Sequence, residues 1–207
     1  MYEEALIVFF KTPEIGKVKT RLASSLGDEL ALNIYKEMLI SVIQTSLSWA
    51  EASPGRLVLP FGFGSPVSWH QYGIKTGHRQ VGADLGFKMQ HAMQFGLRVA
   101  NKVSIIGTDN PDLSVNDIEL AFSKLDEKDV VFGPCEDGGY YLMGANKMLP
   151  TLLWDLPWST EETLKLLCRR CEGHKLSLGF LDTKTDIDTL EDLETHQFAT
   201  HIWKTVT

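Results

Sequence analysis

Four cations fall within eleven residues near the start of the chain, in the run Lys11-Thr-Pro-Glu-Ile-Gly-Lys17-Val-Lys19-Thr-Arg21. The whole sequence of 207 residues carries 27 acidic against 20 basic side chains, a formal charge of −7, so general basicity does not account for the cluster. A loop bent by Pro13 and Gly16 and crowded with cations suits a phosphate. Backbone N–H groups, a helix N-terminus and side-chain charges can all act on one anion there. The same residues would also serve as a solvated charged turn, and the rest of the sequence has to choose between the two.

Carboxylates supply the complementary chemistry. Asp109 stands in Gly107-Thr-Asp-Asn-Pro-Asp112, just beyond the apolar run Val103-Ser-Ile-Ile106. A carboxylate so placed can hold magnesium, which favours one or two carboxylates, several waters and phosphate oxygens. Asp, Asn and Pro also serve turns and helix caps, a role open to Asp112 as well. Asp186 and Asp188 lie in Thr185-Asp-Ile-Asp-Thr-Leu-Glu-Asp192; Asp188 can cap a final helix, or join Asp109 if the fold brings them together. Asp137, Gly138 and Gly139 precede Tyr140-Tyr141, where paired glycines admit a close ligand or make a plain hairpin turn. Asp84 opens a helical pattern as its N-cap and can still face a crevice. Cys168, Cys171 and His174 have part of a zinc spacing, yet no clear fourth ligand accompanies them, and the two cysteines lie on the apolar face of a helical pattern as small hydrophobes would. No Walker loop, dinucleotide fingerprint or nucleophile elbow is present.

The elements that must position these groups alternate along the chain. Ala5–Phe10, Arg56–Pro60, Lys102–Ile106, Asp129–Gly133, Tyr140–Gly144 and Leu176–Leu181 read as strands. Helical periods cover about Asp28 to Trp49, Asp84 to Ala100 and Ser114 to Leu125, the last with Ser114 and Asp117 set for a capping box. A further helix is expected after a Ser159 or Thr160 cap, and a short one after Asp188. The stretch from Phe61 to Gln80 holds no sustained period. Long helices between strands require crossovers, so the prediction is one α/β domain over residues 1–207: three layers, α/β/α, around a mostly parallel sheet.

Composition excludes several classes. An acidic protein offers no general attraction to nucleic acid or anionic membrane. No apolar run approaches the roughly 20 residues that span a bilayer, so no membrane insertion is expected. The acidic start, Met1-Tyr-Glu-Glu, lacks the positive residues of an export signal, and three cysteines make no disulfide framework. A cytoplasmic protein is expected.

The motifs in order are Lys-x-Pro-x-x-Gly-x-Val-Lys-Thr-Arg-Leu, Asp-Leu-Gly, Gly-Thr-Asp-x-Pro, Gly-Pro-x-Glu-Asp-Gly-Gly-Tyr-Tyr-Leu, Pro-Trp-Ser-Thr and Asp-x-Asp-Thr-x-Glu-Asp-Leu. Together they resemble a little-characterised bacterial family of the glycosyltransferase-A, or nucleotide-diphospho-sugar transferase, fold, whose members are usually labelled glycosyltransferases. The first loop and the two aspartate motifs also resemble the phospholactate and molybdopterin guanylyltransferases. The resemblance implies that Lys11, Gly16, Lys17, Lys19, Thr20 and Arg21 wrap nucleotide phosphates, with Lys19, Arg21 and Asp109 catalytic. It implies that Asp109 and Asp188 hold magnesium or manganese, and that Asp84, Asp137, Gly138, Gly139 and Tyr140 line the donor or acceptor pocket. Ile15 and Leu190 stand where the family often has proline, and Asp109 is followed by Asn110-Pro111 instead of a second aspartate after one residue.

The expectation is therefore a metal-dependent transferase that takes a nucleotide-activated donor and a small-molecule acceptor. Nucleotidyl transfer from an NTP and glycosyl transfer from an NDP-sugar stay balanced. A nucleotide-binding module without catalysis is the alternative.

Overall fold

The computed structural model describes residues 1–147 and 150–203. The chain opens with β1 (Tyr2–Lys11), then the cationic loop, α1 (Thr20–Leu26) and the long α2 (Asp28–Glu51). β2 (Arg56–Phe63) is followed by a 3₁₀ turn over Pro66–Tyr72 and a two-residue β3 (His78–Arg79). Next come α3 (Leu85–Val99), β4 (Ala100–Ile106), α4 (Val115–Lys124), β5 (Val130–Pro134) and β6 (Tyr140–Ala145). α5 (Thr163–Gly173), β7 (Leu178–Phe180), α6 (Leu190–His196) and α7 (Thr200–Trp203) complete it.

The strands form one seven-stranded sheet in the order β3-β2-β1-β4-β6-β5-β7. All run parallel except β6, which lies antiparallel between β4 and β5. Side chains alternate across a strand, and β1 shows the consequence. Leu6, Val8 and Phe10 join a core that includes Leu39 and Ile43 of α2 and Ile118 and Phe122 of α4. Ala5 and Ile7 join the opposite core, with Met89 and Met93 of α3 and Leu167 and Cys171 of α5. Two apolar faces on one sheet make the expected three layers. A third cluster, Leu22, Ile34, Met38, Ile187 and Leu193, ties α1, α2 and α6 together.

Local differences have local causes. The helix expected from Ser159 or Thr160 begins instead at Thr163. Ser159 sits at φ 61°, outside helical space, while the Thr163 hydroxyl donates to the Pro157 and Thr160 carbonyls and closes a turn ahead of the helix. The stretch without periodicity holds the end of β2, the 3₁₀ turn and β3; its Trp69 is buried and donates from Nε1 to Thr12 Oγ1 at 2.8 Å. Trp69 thereby pins the start of the cationic loop. Among the described residues no helix is long and apolar enough to cross a membrane.

Because β6 alone is reversed, the C-terminal ends of β1, β2, β4, β5 and β7 share one edge of the sheet with the start of β6. Open α/β sheets bind ligands beyond such an edge, and every candidate loop emerges there.

Candidate functional site

The centre of the edge is a three-residue ion cluster. Lys19 Nζ lies 2.6 Å from Asp109 Oδ1 and 3.0 Å from Asp188 Oδ1, and it also donates to the Ile187 carbonyl. Its side chain is only 4% exposed, whereas those of Asp109 and Asp188 are 48% and 44% exposed. The ammonium thus lies beneath two carboxylates whose outer faces remain open. Burial alone would depress the Lys19 pKa, but the Asp109 and Asp188 charges outweigh it and raise the value above that of a free lysine. Arg21 NH1 approaches Asp188 Oδ2 at 3.8 Å from the solvent side.

Backbone conformation places Lys19. It precedes α1 in the left-handed region, at φ 47° and ψ 46°, an uncommon state for a residue with a Cβ. Val18 and Leu22 on either side are buried.

Asp188 arrives through Ile187. That side chain is fully buried in the α1–α2–α6 cluster, and its N–H donates to the Asp109 carbonyl at 2.9 Å. The Asn110 amide adds a bond to the Thr185 carbonyl at 3.1 Å. The helix cap expected of Asp188 belongs to its neighbour. Thr189 accepts from the Asp192 N–H at 3.3 Å and forms a capping box with that residue. Asp188 is left free to meet Lys19. Asp112 likewise caps nothing: Ser114 and Asp117 form the α4 box, and Asp112 Oδ2 sits 2.8 Å from His196 Nδ1.

Two residues overlooked as site groups complete the centre. Tyr35, 3% exposed on α2, accepts from the Lys11 N–H at 3.0 Å, donates to the Lys11 carbonyl at 2.9 Å, and receives the Thr108 hydroxyl at 3.3 Å. One phenol therefore joins the ends of β1 and β4, and burial pushes its pKa up to about 12. Nothing in the sequence separates it from other apolar-face residues of α2. Asp186 lies behind the ion cluster, with Asn110 Nδ2 3.5 Å from its Oδ1 and the Cys135 thiol hydrogen-bonded to it. Burial first, and then the Asp109 charge, raise its pKa to about 6. The Asp-x-Asp spacing was its signal.

The other predicted positions separate into groups. Lys11, Gly16, Lys17, Thr20 and Arg21 are exposed around the loop. Gly16 adopts φ 70°, and Lys17 Nζ is bonded to Glu14 Oε2 at 2.6 Å. Asp84 caps α3 by accepting from the Phe87 N–H at 2.9 Å, its residue exposed at the edge. Asp137 accepts from the Gly139 N–H at 2.9 Å, and Gly138 takes φ 84°, so this turn is held by its own residues. Tyr140 is turned inward: its hydroxyl meets Met89 Sδ at 3.8 Å, with Phe132 and Trp158 around the ring. Cys171 is fully buried on α5, and Cys168 packs against the same core.

Chemically, the edge offers two half-open carboxylates over a buried cation, next to a loop with mobile-length cationic side chains. No group of three or more His, Cys, Asp or Glu residues suited to a metal occurs among the described residues. A divalent ion here would take Asp109 and Asp188 and fill its remaining positions from water and ligand, which is how magnesium is usually held.

Residues 63–160 match the family model described as "Uncharacterized protein conserved in bacteria" (DUF2064), a span that includes Asp84, Asp109 and Asp137 but not the cationic loop or Asp188. No curated protein sequence matches this one. Among solved structures, a protein provisionally assigned as a nucleotide-diphospho-sugar transferase from Desulfovibrio desulfuricans G20 is 28% identical. It superposes with a TM-score of 0.84 over 95% of this chain and 87% of that one. CMP:2-keto-3-deoxy-manno-octonic acid synthetase complexed with CTP is 11% identical, with a TM-score of 0.56 over 94% of this chain and 97% of that one. Rv0371c from Mycobacterium tuberculosis H37Rv, in complex with manganese, is also 11% identical, with a TM-score of 0.54 over 99% and 100%. The fold is that of the nucleotide-diphospho-sugar transferases, as the motifs led us to expect.

Proposed function

We propose that this protein is a divalent-metal-dependent transferase that uses a nucleotide-activated donor and a small-molecule acceptor. The observation that carries the reading is the meeting of Asp109 and Asp188 over Lys19, beside the cationic loop, at the ligand-binding edge of the sheet. The nucleotide-donor and metal readings gain support from similar structures: a sugar-transferase assignment, a synthetase crystallised with CTP, and a manganese complex.

In this reading Asp109 and Asp188 hold magnesium or manganese through their exposed oxygens. The ion, when bound, withdraws charge from the donor's phosphate oxygens. Lys11, Lys17 and Arg21 meet the phosphates from the loop, with Gly16 and Thr20 shaping their approach. Arg21 and Lys19 offset the charge that builds on the departing phosphate, where stabilisation accelerates the reaction most. Asp84 and the Asp137-Gly138-Gly139 turn face the donor or acceptor from the other end of the edge.

Nucleotidyl transfer breaks the α–β phosphate bond of an NTP, and glycosyl transfer breaks the bond from sugar to diphosphate. Both leave a phosphate anion on this edge. Thermal unfolding with magnesium and a panel of NTPs, NDPs and NDP-sugars distinguishes them. A ligand at about 100 times its dissociation constant adds about 2.7 kcal/mol. Stabilisation that needs magnesium and is lost in Asp109→Ala supports the reading, with the better ligand naming the reaction. Stabilisation without turnover supports a binding module. No shift with any nucleotide overturns the reading.

A further inference from the structure

Lys19 occupies a position that the proposed metal has to reckon with. Its ammonium contacts both carboxylates assigned to the ion, within 2.6 and 3.0 Å, and its side chain is almost sealed from solvent. It is bound from below by the Ile187 carbonyl and held at its start by a left-handed backbone. Arg21 stands on the same pair from outside, 3.8 Å from Asp188. Further acids approach from neighbouring elements: Asp186 from the same segment as Asp188, with Asp137 among the charges that act on it.

We infer that Lys19 is a built-in counter-ion that makes metal binding conditional on nucleotide phosphate, resting on the functional reading above. A fixed positive charge a few ångströms from the metal position repels a dication, even where the carboxylates face water. It also keeps two like charges together before any metal arrives, so the pair is preorganised. Phosphates bring the negative charge that offsets Lys19 and Arg21, and the ion then binds them and the carboxylates together. The free protein therefore holds metal weakly, and donor and metal load as one unit. This role differs from direct contact of Lys19 with the transferred group, since its side chain lies beneath the carboxylates.

The test is titration of the protein with Mn²⁺ alone, following free Mn²⁺ by its paramagnetic resonance signal, with folding checked by circular dichroism. Wild type, Lys19→Met, Lys19→Arg and Asp109→Asn are compared. Removing the charge while keeping the apolar stem, in Lys19→Met, is expected to tighten Mn²⁺ binding by on the order of tenfold, the scale of a water-screened charge at this separation. Lys19→Arg keeps the charge and should stay as weak as wild type; Asp109→Asn should bind more weakly than Lys19→Met.

Equal or weaker Mn²⁺ binding by a folded Lys19→Met overturns the inference. So does Lys19→Arg matching Lys19→Met, since geometry rather than charge would then be responsible. If Lys19→Met does not fold, Lys19→Gln replaces it, with the same outcomes. No nucleotide is needed for these titrations, so they stand apart from the functional reading. Tighter Mn²⁺ in Lys19→Met, with no nucleotide stabilising wild type, would support Lys19 as the charge that opposes the metal and refute nucleotide phosphate as the anion that offsets it.

Discussion

Asp186→Asn should stabilise the protein at neutral pH and not at acid pH. In the folded chain burial and the neighbouring Asp109 charge raise the Asp186 pKa from 3.8 to about 6. The sign follows from proton binding. Between those two values the folded state keeps a proton that the unfolded chain has released, so stability falls as pH rises through that window. Each pH unit of the difference amounts to 1.36 kcal/mol, so the full penalty above pH 6 approaches about 3 kcal/mol. Partial solvent access reduces this, and about 1–2 kcal/mol is the expected range.

Asparagine cannot ionise, so the variant lacks the penalty at every pH. Altered bonds to Asn110 and Cys135 add an offset that does not change with pH. Urea unfolding of both proteins, in EDTA and at intervals from pH 4 to pH 8, measures the difference. The variant should gain about 1–2 kcal/mol over wild type between pH 4 and pH 7, then level off. A difference that is flat with pH, or that moves against the variant, would refute the argument from burial. A carboxylate kept at such a cost beside Asp109 and Asp188 is the pattern expected of a functional group.

Asp109→Ala and Asp188→Ala should each fold and lose at least about 100-fold in turnover, the scale of one lost transition-state contact, as measured with the donor found in the unfolding panel. Tyr35→Phe removes the hydroxyl that joins Lys11 to Thr108 and should cost about 1–2 kcal/mol. Amide exchange should show the loosening as faster exchange at Lys11. Gly138→Ala should cost about 2–3 kcal/mol by denaturant unfolding, because a Cβ there is strained at φ 84° and would collide with the Glu161 backbone. Near-wild-type stability would mean that the Gly138 turn is free to move.

Much of the fold was legible because its signals are local. Ala5–Phe10 is a buried strand by its apolar run alone, and Ser114 with Asp117 gives the α4 cap in four residues. The same locality limited the reading elsewhere. Both Asp188 and Thr189 can cap a helix, and only the backbone geometry gives the cap to Thr189. Tyr140 opens an expected strand and by resemblance lines the pocket, yet strand alternation turns it toward Met89. Ser159 looks like a cap until its left-handed backbone puts it outside α5.

The sequence by itself determined which chemistry was available: a cationic turn after the first strand, aspartates beyond the fourth, and a pair before α6. Short-range periodicity and turn chemistry act within a few residues, so they survive in the string of letters. Tertiary structure alone decided which of those groups meet. The crossover past β7 brings Asp188 to Asp109, and burial of Ile187 fixes how they face each other. Lys19 reads as one of four loop cations, but the packing of Val18 and Leu22 draws it under the two carboxylates. Contacts between residues far apart in sequence depend on strand order and packing, and no local pattern encodes them.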